Sequence, residues 1–354
     1  MALPTEPVGS IPRPGSLIDA ARAFAAGEVP AEELAAFREA AIRETIELFE
    51  ATASPIITDG EQAKPSFATY PLEGVANVDP HGVVIPFADG HTRQLPRLTA
   101  GPFRYGTHAA SYLTTAQRYA RVPLKQAVIS ASALSLLYPA EGIQGYPREA
   151  FLDDLVAETE ADIRDCLAAG AHKVQIDFTE ARLSVKLDPT GGLLREFVEL
   201  NNRVLERFSD EDRTRIGVHT CPGGDRDSTH SADVDYAELL PTLFELRAGS
   251  FYIQLAGEPE PGRVLSIIGE HLRPWQTAFV GVIDPIDSEV ETPDTVRDRV
   301  LEAAEHIPIE RLGTTDDCGF APFGDDTSTP RETAFEKIRA RVIGTGLAAS
   351  ELGV

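Results

Sequence analysis

The chain has 354 residues, 42% hydrophobic and 25% charged, an ordinary balance for a globular protein that buries a full core. Its 32 basic side chains face 56 acidic ones, a formal net charge of −24 that would repel a phosphate backbone, so nucleic acid is excluded as a natural partner. The start, MALPTEPVGSIPRP, has no basic-then-apolar leader, and no stretch approaches the roughly 20 apolar residues of a membrane span, so a cytoplasmic protein without membrane contact is expected.

Short β-branched runs alternate with amphipathic stretches, the pattern of βα units around a parallel sheet. The first strand is predicted at Thr5–Ser10 and ends in Gly9-Ser10; a helix follows at Ala31–Thr52. The second, Pro55–Gly60, leads into Glu61. Residues 72–105 break the alternation: VVIPF and LPRLTAG flank the polar ADGHTRQ, which predicts a β-hairpin inserted after the second strand. The third strand is Gln126–Ser130, followed by a helix at Arg148–Ala169 that closes on Gly170, a residue suited to a left-handed cap. Strand four, Lys173–Phe178, carries Asp177, and the next helix is Leu193–Phe208. Strand five, Ile216–Cys221, carries His219 and Cys221, and strand six, Ser250–Ala256, carries Gln254. The seventh, Ala278–Asp284, ends in an acid, and the eighth, Arg311–Asp316, runs into Asp317-Cys318-Gly319. The expected fold is α/β: a single (β/α)8 TIM barrel over residues 1–354, with its insertion at about 72–105.

Functional groups in such a barrel gather at the C-terminal ends of the strands. His219 and Cys221 are two apart in an extended segment, so their side chains share a face and can hold one ion, with Cys318 arriving from the eighth strand. A His-Cys-Cys set suits Zn2+, and three protein ligands with an open position form a catalytic rather than a structural site. From spacing alone, the alternative that these are unrelated rim residues stays open. Three cysteines make no disulfide framework, and Cys166, among apolar helix neighbours, reads as a small core residue. His230, in the acidic loop PGGDRDSTHSADVD, is either a solvated loop histidine or an acid or base over the site. Asp284, at the rim, is a second candidate catalytic group.

With these residues in place the chain resembles the C-terminal catalytic barrel of cobalamin-independent methionine synthase and its short single-barrel relatives. VGSIPRP, ITDGEQ, VQIDFTEARLS, GVHTCPGGD, FVGVID and DDCGF occur in the family's order across essentially the whole chain. The resemblance implies a zinc site of His219, Cys221 and Cys318. Gln254 stands where the family has a glutamate, as a possible, weaker fourth ligand. Glu258 would replace it only under a shifted register. The resemblance also implies that Gly9, Ser10, Glu61 and Asp177 hold the amino acid part of homocysteine. It departs on the donor side: the pterin-stacking tryptophan after the third strand is missing from VISASALSLLYP, and the proton-donating histidine after the seventh is missing from GVIDPIDSEVET.

The implied activity is zinc-dependent transfer of a methyl group to a thiol such as homocysteine, through a zinc-bound thiolate and from a donor other than methyltetrahydrofolate. In that reading Asp225 and Asp227 are candidates to orient His219. One alternative is alkyl transfer to another thiol, as in the epoxyalkane:coenzyme M transferases, with Arg13, Arg182 and Lys186 as the nearest cations for a sulfonate. The other is a non-catalytic barrel that binds zinc or a ligand. The partners implied are a small-molecule thiol and an alkyl donor, with a corrinoid protein among the possible methyl sources.

Overall fold

A computed structural model describes residues 3–354. Six parallel strands form one ladder in the order Leu312–Asp316, Thr277–Ile283, Ser250–Ile253, Ile216–Thr220, Val174–Asp177 and Gln126–Ile129. Nearly every residue in them is buried, because helices cover the outer face while the inner face lines the barrel.

The other two predicted strands lie against the two edges of this sheet as single bridges, without closing the ladder. Thr5 pairs in parallel with Thr314, and Ile57 with Leu124. Thr5–Ser10 and Pro55–Gly60 were expected as regular strands. Pro4 and Pro7 at the first segment and Pro55 at the start of the second lack ladder donors, in keeping with pairing confined to single bridges. The first and second segments meet through the Ile11 amide on the Gly60 carbonyl (3.0 Å) and the Thr58 hydroxyl on the Gly9 carbonyl (2.7 Å), without a ladder.

The predicted helices appear at Ala31–Ala51, Arg148–Ala168 and Gly192–Leu205, and Gly170 follows the second of these at φ +90°. A last helix, Arg331–Leu352, packs on the one at Pro293–His306 and sends Arg341 inward to Asp316 at 2.5 Å. Among the described residues no helix is long and apolar enough to cross a membrane.

The insertion is a hairpin in two nested steps. Val78–Asp79 pairs with Arg97–Leu98, and Val84–Pro86 pairs with Thr92–Gln94, both antiparallel.

The N-terminal end of the barrel is plugged by a polar cluster. Glu6 accepts from Lys173 Nζ (2.9 Å) and the Tyr252 hydroxyl (2.5 Å), and Lys125 Nζ reaches Gln175 Oε1 at 2.7 Å. Burial pushes the Lys125 ammonium down to about 7, partly offset by Glu6. Gly217 and Gly313 admit the stacked rings of Tyr252 and Phe279, since a Cβ at either would lie 2.5 Å from a ring carbon. The far end closes, and the C-terminal end is left for chemistry.

Candidate metal centre

His219 lies in register between Asp177 and Tyr252 on neighbouring strands. Its Nδ1 meets the Tyr252 carbonyl at 3.2 Å and is therefore the protonated nitrogen, while Nε2 is buried without a partner. Asp225 and Asp227 do not orient this ring as expected, because a backbone carbonyl of the adjacent strand is already in place. Cys221 and Cys318 face each other at 3.2 Å between sulfurs, and the ligand atoms of His219, Cys221 and Cys318 all lie within 4.8 Å of one another. The Gly223 amide points at the Cys221 sulfur, 3.4 Å away. Hydrogen bonding to Cys221 and burial push the Cys318 thiol up. A cation between the sulfurs would reverse that preference.

An unpaired buried imidazole lone pair beside two thiols is a donor set in want of an ion, and one nitrogen with two sulfurs fits Zn2+. Gln254 follows Ile253, which pairs with Thr220, so it stands beside Cys221 on the next strand, and its Oε1 is buried without a partner. Glu258 is removed as an alternative ligand by its ion pair with Arg182 at 2.6 Å.

Asp317 sets the positions of these groups. Its carboxylate accepts the amides of Leu255, Ala256 and Gly257 at 2.7–2.9 Å, tying the loop after Gln254 to the residue before Cys318. Gly281 makes room for it, since a Cβ there would lie 1.8 Å from Asp317 Oδ1. Burial and the neighbouring Asp284 push the Asp317 carboxyl up to about 7. Asp284 itself accepts the Ile286 amide and is not among the residues that border the cavity.

The cavity beside His219 and Cys318 is bordered by Ser10, Glu61 and Asp177, three of the four residues expected at the amino acid end; Gly9 does not border it. The turn at Gly9-Ser10 interlocks with the eighth strand's loop: the Phe320 amide donates to the Ser10 carbonyl (3.0 Å), and a Cβ on Gly319 would meet Ser10 Oγ. Glu61 accepts from the buried Lys64 at 2.9 Å. Burial and the nearby Glu61 push the Asp177 carboxyl up to about 6. With Lys64 offsetting one of two carboxylates, the pocket keeps one uncompensated negative charge, which matches a single substrate ammonium.

His230 is buried rather than solvated. Its Nδ1 meets Ser231 Oγ at 2.9 Å, its ring edge packs on Phe87, and burial pushes its pKa down to about 4, so it is a neutral imidazole over the cavity. The three cations proposed from sequence are already engaged. Arg13 donates to the Glu61 and Lys64 carbonyls, Arg182 pairs with Glu258, and Lys186 pairs with Asp233.

Sequence reasoning missed the hairpin's contribution. Ile85, Phe87, Arg93 and Leu95 roof the cavity, and Phe67 and Phe323 add two more rings where no tryptophan is present; Trp275 sits at the opposite end, just before the seventh strand. Asp225 is the hairpin's anchor, taking Arg93 at 2.5 Å and His91 at 2.9 Å, while Arg93 also reaches Asp325 at 2.8 Å. Asp225→Ala is expected to cost about 1–3 kcal/mol, the worth of charged hydrogen bonds, and to open residues 84–94 to limited proteolysis. An unchanged cleavage pattern and melting temperature would contradict the anchor.

Fold and donor set together define a barrel with a histidine–cysteine cluster that could hold a metal at its open end. Residues 3–339 match the cobalamin-independent synthase catalytic domain, and the chain belongs to that family. It is 22% identical to a methionine synthase of Sulfurisphaera tokodaii over 352 residues, 99% of this chain and 94% of that one. A 116-residue stretch is 30% identical to the 2-hydroxypropyl-CoM lyase of Xanthobacter autotrophicus, covering 32% of this chain and 29% of the lyase. Among solved structures, a B12-independent methionine synthase from a Shewanella species in complex with selenomethionine superposes with a TM-score of 0.77 at 19% identity, covering 99% of both chains.

Proposed function

We propose that this protein transfers a methyl group to a small amino acid thiol of the homocysteine type, with Zn2+ held by His219, Cys221 and Cys318. The observation that carries the reading is the buried, unpaired Nε2 of His219 facing two thiols at the edge of a cavity with carboxylates. Bound there, zinc would keep the substrate sulfur ionised at neutral pH, where a free thiol with a pKa near 8.5 is mostly protonated.

The chain's own groups do the rest. Glu61 and Asp177 take the substrate ammonium, and the Ser10 turn takes its carboxylate. The Tyr252 carbonyl holds the His219 tautomer, and Gln254 offers a neutral oxygen that a thiol can displace more easily than a glutamate. The hairpin roof excludes water. The donor is one other than methyltetrahydrofolate, since the aromatic platform and the proton-donating histidine that the resemblance leads one to expect are missing from VISASALSLLYP and GVIDPIDSEVET. Alkyl transfer to a sulfonate thiol is the second reading, supported by the stretch shared with the CoM lyase. The pairing of Arg13, Arg182 and Lys186 with other groups weighs against it.

The test is titration of zinc-loaded protein with homocysteine at neutral pH in buffers of different ionisation enthalpy. Binding is expected to release about one proton per thiol, as ligand ionisation requires. Binding without proton release, or no binding by protein that holds zinc, would overturn the reading.

A further inference from the structure

Glu180, missed from sequence, opens the helix Glu180–Leu187 after the fourth strand and borders the same cavity as Asp177 and His219. It is 6% exposed. Its Oε1 is pinned by two hydroxyls, Ser130 at 2.6 Å and Ser132, and Ser132 is itself held by Asn201 at 2.7 Å. Its Oε2 is buried with no partner. Among the described residues no cation pairs with this carboxyl, and Asp177 stands near enough to oppose its charge. Buried carboxylates without a counter-ion are costly, whereas a neutral carboxyl with both acceptor sites of one oxygen filled carries its hydrogen on the other. Burial accordingly pushes Glu180 up to about 7. The arrangement is an O–H donor at a cavity wall for which the protein supplies no acceptor.

We propose that Glu180 is the acid that protonates the departing heteroatom of the alkyl donor. The proposal rests on the thiol-alkylation reading above, and it supplies from the helix after the fourth strand the proton that no histidine after the seventh can give. As the sulfur–carbon bond forms, the carbon–heteroatom bond breaks and its electron pair stays on the heteroatom, which takes the proton from Oε2. Water then returns a proton to the carboxylate, and the hydroxide left neutralises the proton lost by the acceptor thiol. The donor class is a small, largely apolar molecule whose leaving atom is basic, such as an epoxide or a methylated amine.

The experiment uses zinc-loaded protein, homocysteine as acceptor and two probe donors: 1,2-epoxypropane, whose oxygen must gain a proton, and iodomethane, whose iodide needs none. Glu180→Gln is expected to slow epoxide opening by about 100-fold, the scale of general acid catalysis, while homocysteine binding and the iodomethane rate stay unchanged. Equal loss with both donors, or no loss with the epoxide, would overturn the proposal, as would a wild type that alkylates with iodomethane but opens no epoxide. A wild type that fails to accelerate even iodomethane would instead contradict the thiol-alkylation reading itself. Should Glu180→Gln not fold, Ser132→Ala frees Oε1 with a smaller change; about a 10-fold loss confined to the epoxide is expected, and no such selectivity would overturn the assignment.

Discussion

Cys221→Ser is expected to abolish stoichiometric zinc binding and to reduce thiol alkylation by about 1000-fold or more, since activation by a bound ion is worth several kcal/mol. The serine hydroxyl is nearly isosteric but a hard, neutral ligand, and Cys221 is fully buried, so the substitution changes the donor atom and little else. The fold should survive. Without an ion the two thiols only share a hydrogen bond at 3.2 Å, and the surrounding strands are held by their own ladders. The check is metal content by mass spectrometry beside thermal melting. A variant that keeps its zinc would remove Cys221 from the ligand set. A melting temperature that is the same with and without zinc in the wild type would show that no bound ion stabilises the native state.

Asp177→Asn is expected to weaken the acceptor thiol by about 10–100-fold, because a charge-assisted hydrogen bond to an ammonium contributes about 1.5–3 kcal/mol. Zinc content should stay unchanged. Alkylation of a thiol without an amino group should hardly alter, which separates loss of anchoring from damage to the metal site. The pH dependence has a definite sign. The Asp177 carboxyl is pushed up to about 6, so below pH 6 acceptor affinity should fall more steeply in the wild type than in the variant, where ionisation of the thiol alone supplies the dependence. For stability the sign is opposite. A carboxyl raised above its unfolded value favours the fold below about 4 and loses that contribution as pH rises through 6, so the empty site is strained at neutral pH and an ammonium ligand relieves it. A thermal shift from homocysteine that is larger at pH 7 than at pH 5 is the expected result, and the reverse would contradict this role for Asp177.

Much of this site was legible because the barrel turns chain order into geometry. His219 and Cys221, two apart in a strand, had to share a face, and Cys318, just beyond the last strand, had to arrive at the same rim. Six strands could be read as buried β-branched runs. The first two were harder, because prolines reduce them to single bridges that periodicity cannot distinguish from a strand. The hairpin's existence was readable, but not its task. Nothing local to Arg93 or His91 says that they close on Asp225, more than a hundred residues further along. The same limit misassigned Asp225 as the partner of His219, when the Tyr252 carbonyl, which every residue type would supply, is what holds the ring. Asp284 looked functional because it ends a strand, yet its oxygen accepts a turn amide and its side chain stands by Asp317, outside the cavity. Glu180 was overlooked for a related reason. A first-turn acid on a helix normally reads as a response to the helix dipole, and only its burial and its unpaired oxygen mark it out.

The central claim is that a metal held by His219, Cys221 and Cys318 takes the sulfur of the substrate. X-ray absorption at the zinc edge, before and after homocysteine is added, tests it most directly. The expected result is a shell of about two sulfurs with nitrogen or oxygen that gains about one sulfur as an oxygen leaves, in keeping with a four-coordinate site that opens one position. A sulfur count that does not change when homocysteine is bound would contradict it.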